Sequence, residues 1–105
     1  MTDKRLILST AGSQEEARLI ARALVEKQLA ACVNIVGPIQ SIYRWKETVE
    51  ESQEVLLLIK TTATLFSQLR DELKRLHSYE VPECIELTIE DGLPAYLEWI
   101  GESVK

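Results

Sequence analysis

The segment CVNIVGPIQSIYRWK, Cys32 to Lys46, is followed after a turn near Glu47 and Thr48 by VEESQEVLLLIKT, Val49 to Thr61. Both runs are rich in β-branched and aromatic residues, and the short connection between them predicts a hairpin. Gly37-Pro38 interrupts the first arm and predicts a bulge or bend, because proline cannot donate to a strand ladder. Val55 to Ile59 is wholly apolar, the pattern of a strand covered on both faces. A strand of about fifteen residues extends about 50 Å, whereas a compact chain of about 100 residues is only about 35 Å across. The hairpin must bend or protrude. An isolated two-stranded ribbon is marginal in water, and this one carries Ile39, Ile42, Tyr43 and Trp45. Neighbouring copies of the chain are its natural cover, which predicts an obligate oligomer built through the hairpin.

Upstream of the hairpin, Lys4 to Thr10 reads as a strand with a nearly continuous apolar centre, expected to lie centrally and covered on both faces. Ser13-x-x-Glu16 then forms a capping box that opens a helix. Ala17, Ile20, Ala21 and Leu24 repeat at helical spacing on the packed side, while Arg22 and Glu26 are placed to pair at i,i+4. Downstream, Leu65, Leu69, Leu73 and Leu76 mark a second amphipathic helix closing near His77. Ile85, Leu87 and Ile89 alternate with Cys84, Glu86, Thr88 and Glu90, predicting a last strand with one covered and one polar side, at a sheet edge. Asp91-Gly92 is a turn, and Pro94 opens a short helix carrying Tyr96, Leu97, Trp99 and Ile100. The order β-α-β-β-α-β with one small helix appended is an α+β fold, the ferredoxin-like split βαβ arrangement. It is an antiparallel sheet with two helices on one face, in a single domain over 1–105.

Composition excludes several classes of function. Seventeen acidic residues against twelve Lys and Arg give a net charge of -5, which repels a phosphate backbone, so nucleic acid is not expected as a partner. Apolar runs fall far short of the roughly 18 residues of a membrane-spanning helix, and Leu6 to Leu8 is too short for the core of a secretory signal. Those readings point to the cytoplasm. Cys32 and Cys84 lie far apart, match no Cys-x-x-Cys spacing and are expected to be free thiols.

His77 is the only histidine. At a helix carboxyl end an imidazole interacts with free carbonyls and the helix dipole; it is also a ligand for copper or zinc if thiolate or carboxylate donors converge on it, and Cys32 and Glu80 are the candidates. Lys60, closing the apolar strand, either snorkels to solvent or lines an anion-binding cleft. Trp45 and Tyr43 read as interface anchors, and Glu50, Glu51 and Glu54 as a solvated stretch of the arm, with weak cation binding as the lesser alternative. No nucleophile with an adjacent base can be assembled, so an enzyme is not expected.

Taken together, Glu15-Glu-Ala17, Leu29-Ala-Ala-Cys-Val-Asn34, Ser41-Ile-Tyr-Arg-Trp45, Ile59-Lys-Thr61, His77-Ser-Tyr-Glu-Val-Pro-Glu83 and Pro94-Ala-Tyr-Leu-x-Trp99 resemble the CutA divalent-cation tolerance proteins from about Leu6 onward. The resemblance implies a cytoplasmic ferredoxin-like homotrimer whose long hairpins wrap onto neighbours. It implies a role in the response to metal ions, with copper or another divalent cation as ligand and none needed for folding. Copper-binding members use a cysteine at the end of the first strand and two consecutive histidines; the matching positions here hold Ser9, Leu76 and His77. It further places Cys32, Lys60, Tyr79 and Glu80 around an inter-subunit groove. The expected metal donors are thus His77, Cys32 and Glu80, with Lys60, Tyr79 and Trp45 as cleft residues. The other expectation is a non-catalytic oligomeric scaffold or signalling module whose cleft holds a small anion or a partner peptide.

Overall fold

The computed structural model describes residues 2–105. Strand β1 (Lys4–Ala11) leads through Gly12-Ser13 into helix α1 (Gln14–Glu26), followed by β2 (Cys32–Trp45) and β3 (Thr48–Thr62). A 3-10 turn over Ala63–Leu65 precedes α2 (Phe66–Leu76), then β4 (Ile85–Thr88) and α3 (Pro94–Glu102). The sheet is antiparallel throughout in the order β2-β3-β1-β4, with β1 inside and β4 at an edge as the sequence predicts.

Local chemistry sets the element boundaries. The Ser13 hydroxyl accepts the Glu16 N–H at 3.1 Å, which is half of the expected capping box. The other half is replaced, because the Glu16 carboxylate accepts the Ser78 N–H at 2.8 Å and so fastens the loop after α2. Helix α1 ends in a Schellman motif: the Leu29 N–H reaches the Leu24 carbonyl, the Gln28 N–H reaches that of Val25, and Gln28 takes φ 59°. The hairpin turns on Lys46 and Glu47, at φ 49° and 67°, the conformation whose twist suits two antiparallel strands. Between Val36 and Ile39 the ladder slips by one residue at Gly37-Pro38, the bulge of the two expected alternatives, with a cis peptide bond before the proline.

The core lies between one sheet face and the helices. Ile7, Leu57 and Ile59 from the sheet pack with Ile20, Leu24, Leu69 and Leu73 from α1 and α2, and α3 adds Ile100. Burying each such side chain contributes about 1.5–3 kcal/mol. An exposed pair such as Arg22–Glu26, 3.2 Å apart, contributes about 0–1 kcal/mol, so burial rather than surface charge decides the fold.

Residues of the opposite parity behave otherwise. Leu6, Leu8, Leu56 and Leu58 are only half-buried, and Val36, Ile85 and Leu87 are exposed. The expectation that β1 and Val55 to Ile59 are covered on both faces is therefore corrected for a single chain: helices cover one face, and the other is an open apolar surface. The last strand is also shorter than expected, four residues rather than seven, and its apolar side lies on that open surface. Dimensions of 44 × 25 × 22 Å and a radius of gyration of 14.1 Å, against about 13 Å for a compact chain of this length, record the projecting hairpin. Among the described residues, no helix is long and apolar enough to cross a membrane.

Candidate functional site

Where the hairpin arm leaves the sheet, the loop after α2 lies against it and encloses a cleft of about 610 Å³. The arm contributes Tyr43, Trp45, Glu50 and Glu54, and the loop contributes Tyr79, Glu80 and Glu83. His77 sits beneath this loop with its side chain fully buried. Its Nδ1 accepts the Tyr79 N–H at 3.1 Å, which requires the proton to be on Nε2, and Nε2 donates to the Thr10 carbonyl at 2.7 Å. Both ring nitrogens are engaged. The Glu16 carboxylate lies 3.6 Å from Nδ1.

The ordered backbone places Tyr79, whose hydroxyl donates to Glu54 Oε2 at 2.7 Å and ties the loop to β3. Burial, together with the Glu54 charge, pushes the Tyr79 phenol well above the ordinary tyrosine range. Glu83 is raised too, by burial first and by Glu54 second. Glu16 goes the other way: partial burial raises it, but hydrogen bonding, first to Ser78, together with the nearby His77 outweighs that and leaves the carboxyl below its ordinary value.

A second cluster occupies the other end of the sheet. Cys32 opens β2 directly opposite Lys60 of β3, and its sulfur lies 3.5 Å from the Tyr96 hydroxyl of α3. The hydrogen bond to Cys32 is the first cause that pushes the Tyr96 phenol up to about 12, ahead of burial. The Lys60 ammonium donates to Asn34 Oδ1 and to the Leu58 carbonyl.

Of the residues expected to form one site, the chain thus brings together His77, Tyr79, Glu80 and Trp45 and separately Cys32 and Lys60. Glu54 and Lys60 lie six positions apart along β3, about 20 Å of extended chain. Within one chain the expected donors do not form a divalent-cation site: His77 has no free nitrogen, Cys32 is at the far end, and Glu80 is exposed. No group of three or more His, Cys, Asp or Glu side chains is arranged to hold a metal among the described residues. Both cysteines are free thiols, as expected. Glu54, read from the sequence as solvated, is buried, and Tyr96 and Asn34 were not anticipated as neighbours of Cys32 and Lys60. The available signal for Glu54 was its place directly before the apolar run.

This fold, with an overlong hairpin and the His77-to-Glu83 loop closing on its base, has close counterparts. Residues 5–103 match the CutA1 divalent ion tolerance protein family. The chain belongs to that family. It is 51% identical over 100 residues to the divalent-cation tolerance protein CutA of Thermus thermophilus, covering 95% of this chain and 97% of that one. The solved structure of the Thermus CutA1 superimposes with a TM-score of 0.95 at 50% identity, covering 97% of this chain and 99% of that one. The Archaeoglobus fulgidus structure, described as a periplasmic divalent cation tolerance protein, gives 0.94 at 44% identity over 97% of this chain and 99% of that one. Human CutA is 48% identical over 93 residues, 89% of this chain and 52% of the human protein, so the CutA1 domain described here spans about half of that longer relative.

Proposed function

We propose that this CutA1 family member acts as a homotrimer in the response to divalent cations, copper among them, in the cytoplasm and without catalysing a reaction. The observation that carries the trimer is the division of the sheet into a helix-covered face and an open face that exposes Val36, Ile85 and Leu87. Leaving such a surface in water is costly, and burial against further copies removes the cost. Packing between copies also supplies what one chain lacks, bringing Cys32 and Lys60 of one subunit toward Tyr79 and Glu80 of another. In this reading Glu80 and Cys32 are the accessible donors, and His77 ligates only by releasing the Thr10 carbonyl.

Sedimentation equilibrium at micromolar concentration is expected to give three times the 11.9 kDa chain mass; the mass of one chain sinks the proposal. Calorimetric titration of the trimer with copper(II) is expected to give saturable heat that Glu80→Gln weakens. Loss of that heat in His77→Ala identifies the ring as a ligand, whereas unchanged heat removes it from the site.

A non-catalytic scaffold whose groove accepts a small anion or a partner peptide is favoured by one observation. The Lys60 ammonium has no carboxylate partner among the described residues. Trimeric assembly with no saturable copper heat decides for that reading.

A further inference from the structure

Glu54 is 8% exposed, and its carboxylate forms no ion pair with any lysine, arginine or histidine among the described residues. Among the described residues its only polar partner is the Tyr79 hydroxyl on Oε2. Buried charges are ordinarily compensated, because removing a carboxylate from water costs several kcal/mol that one neutral hydrogen bond does not return. The cleft beside it deepens the imbalance: Glu80 and Glu83 line it as well, and no lining residue is cationic. Burial and the Glu54 charge raise the Glu83 carboxyl, the direction expected where negative charge lacks a counterion.

Three aromatic residues share the remaining walls with Thr10, Ser41, Ile42 and Val81. Tyr43 and Trp45 come from the arm and Tyr79 from the loop. Electron-rich ring faces attract a cation that carries hydrocarbon, and they favour it over a strongly hydrated metal ion. A volume of about 610 Å³ is ample for such a group.

We propose that this cleft is a binding site for an organic cation, an ammonium or guanidinium group on an aliphatic stem, with Glu54 as its counterion and Tyr43, Trp45 and Tyr79 around it. The group comes either from a free amine or from a lysine or arginine of a neighbouring copy. The inference rests on the proposed assembly, because Tyr79 and Glu80 also border the groove between copies, but it does not depend on metal binding.

The test is calorimetric titration of the intact protein with n-butylammonium chloride, alongside sedimentation of wild type and Glu54→Gln. Saturable binding weakened at least tenfold by Glu54→Gln supports a free cation. Absence of such binding, with a subunit dissociation constant raised at least tenfold in Glu54→Gln, supports a neighbour's side chain. If neither is altered, the proposal is overturned. It is equally overturned if manganese(II) binds in a Glu54-dependent manner that n-butylammonium does not compete with. Should Glu54→Gln fail to fold, Trp45→Leu and the pair Glu80→Gln with Glu83→Gln replace it, each expected to weaken whichever binding is observed at least threefold. Wild-type mass, which tests the trimer, is read independently of these variants.

Discussion

His77 shows how a residue's role is set by what its atoms already touch. With Nδ1 accepting from Tyr79 and Nε2 donating to Thr10, the ring joins α2 to β1 and orders the first residues of the loop. The Tyr79 hydroxyl then carries the connection to Glu54. Tyr79→Phe is expected to lower stability by about 1–3 kcal/mol, because it deprives a buried carboxylate of its donor; guanidinium unfolding measures this. Glu16 gives a pH dependence of definite sign. Its folded pKa is below the unfolded value of about 4.3, so its stabilising contribution is full above that pH and is lost as pH falls through the lower folded value. In Glu16→Gln, the part of the acid-unfolding slope below about pH 4.3 that belongs to this carboxyl is expected to vanish. Ser9 provides a contrast, since its buried hydroxyl has no partner among the described residues. Ser9→Ala is expected to be neutral or stabilising by up to about 1 kcal/mol, read from the same unfolding curves.

Among the elements, the hairpin carries a local conflict. Lys46 and Glu47 both adopt left-handed backbone, which costs an ordinary residue about 1–2 kcal/mol. Replacing the pair by Asn-Gly is expected to raise stability by about 1 kcal/mol, measured as a shift in the unfolding midpoint at unchanged subunit mass. The length of this ribbon was legible in the sequence because β-forming composition runs from Cys32 to Thr61, broken only by Gly37-Pro38, the turn and the polar stretch Glu50 to Glu54. The helix starts and the edge position of β4 were legible for similar reasons, since caps and apolar spacing are local. Contacts at the base of the arm were not. Glu54 follows Glu50 and Glu51 in a polar run, and nothing along the chain shows that a loop twenty-five residues later lays a tyrosine hydroxyl on it. Nor does spacing reveal which atom each nitrogen of His77 meets. The expected metal set failed to gather within one chain because Cys32 and His77 belong to opposite ends of the same sheet, a separation that depends on strand register.

At the scale of the molecule, the open sheet face is the feature on which the proposed assembly turns. Helices screen Ile7, Leu57 and Ile59, while Ile85 and Leu87 on the far side remain accessible to solvent. A charge placed on that far side disturbs nothing inside a single chain but opposes packing of one copy on another. Leu87→Glu is therefore expected to retain the circular dichroism spectrum and to sediment as a smaller species than wild type. The same substitution is expected to abolish any copper heat that requires donors from two subunits, linking assembly and ligand binding in one measurement.

Strand β2 closes one side of the sheet, so its outward row of peptide groups finds no mate in its own chain. In the proposed assembly a freshly synthesised copy is consequently adhesive along that row until it docks, and the encounter is second order. Dilution then prolongs the vulnerable interval instead of protecting the chain. Recovery of native material from denaturant is expected to improve with rising concentration across the range where docking outpaces disordered clumping.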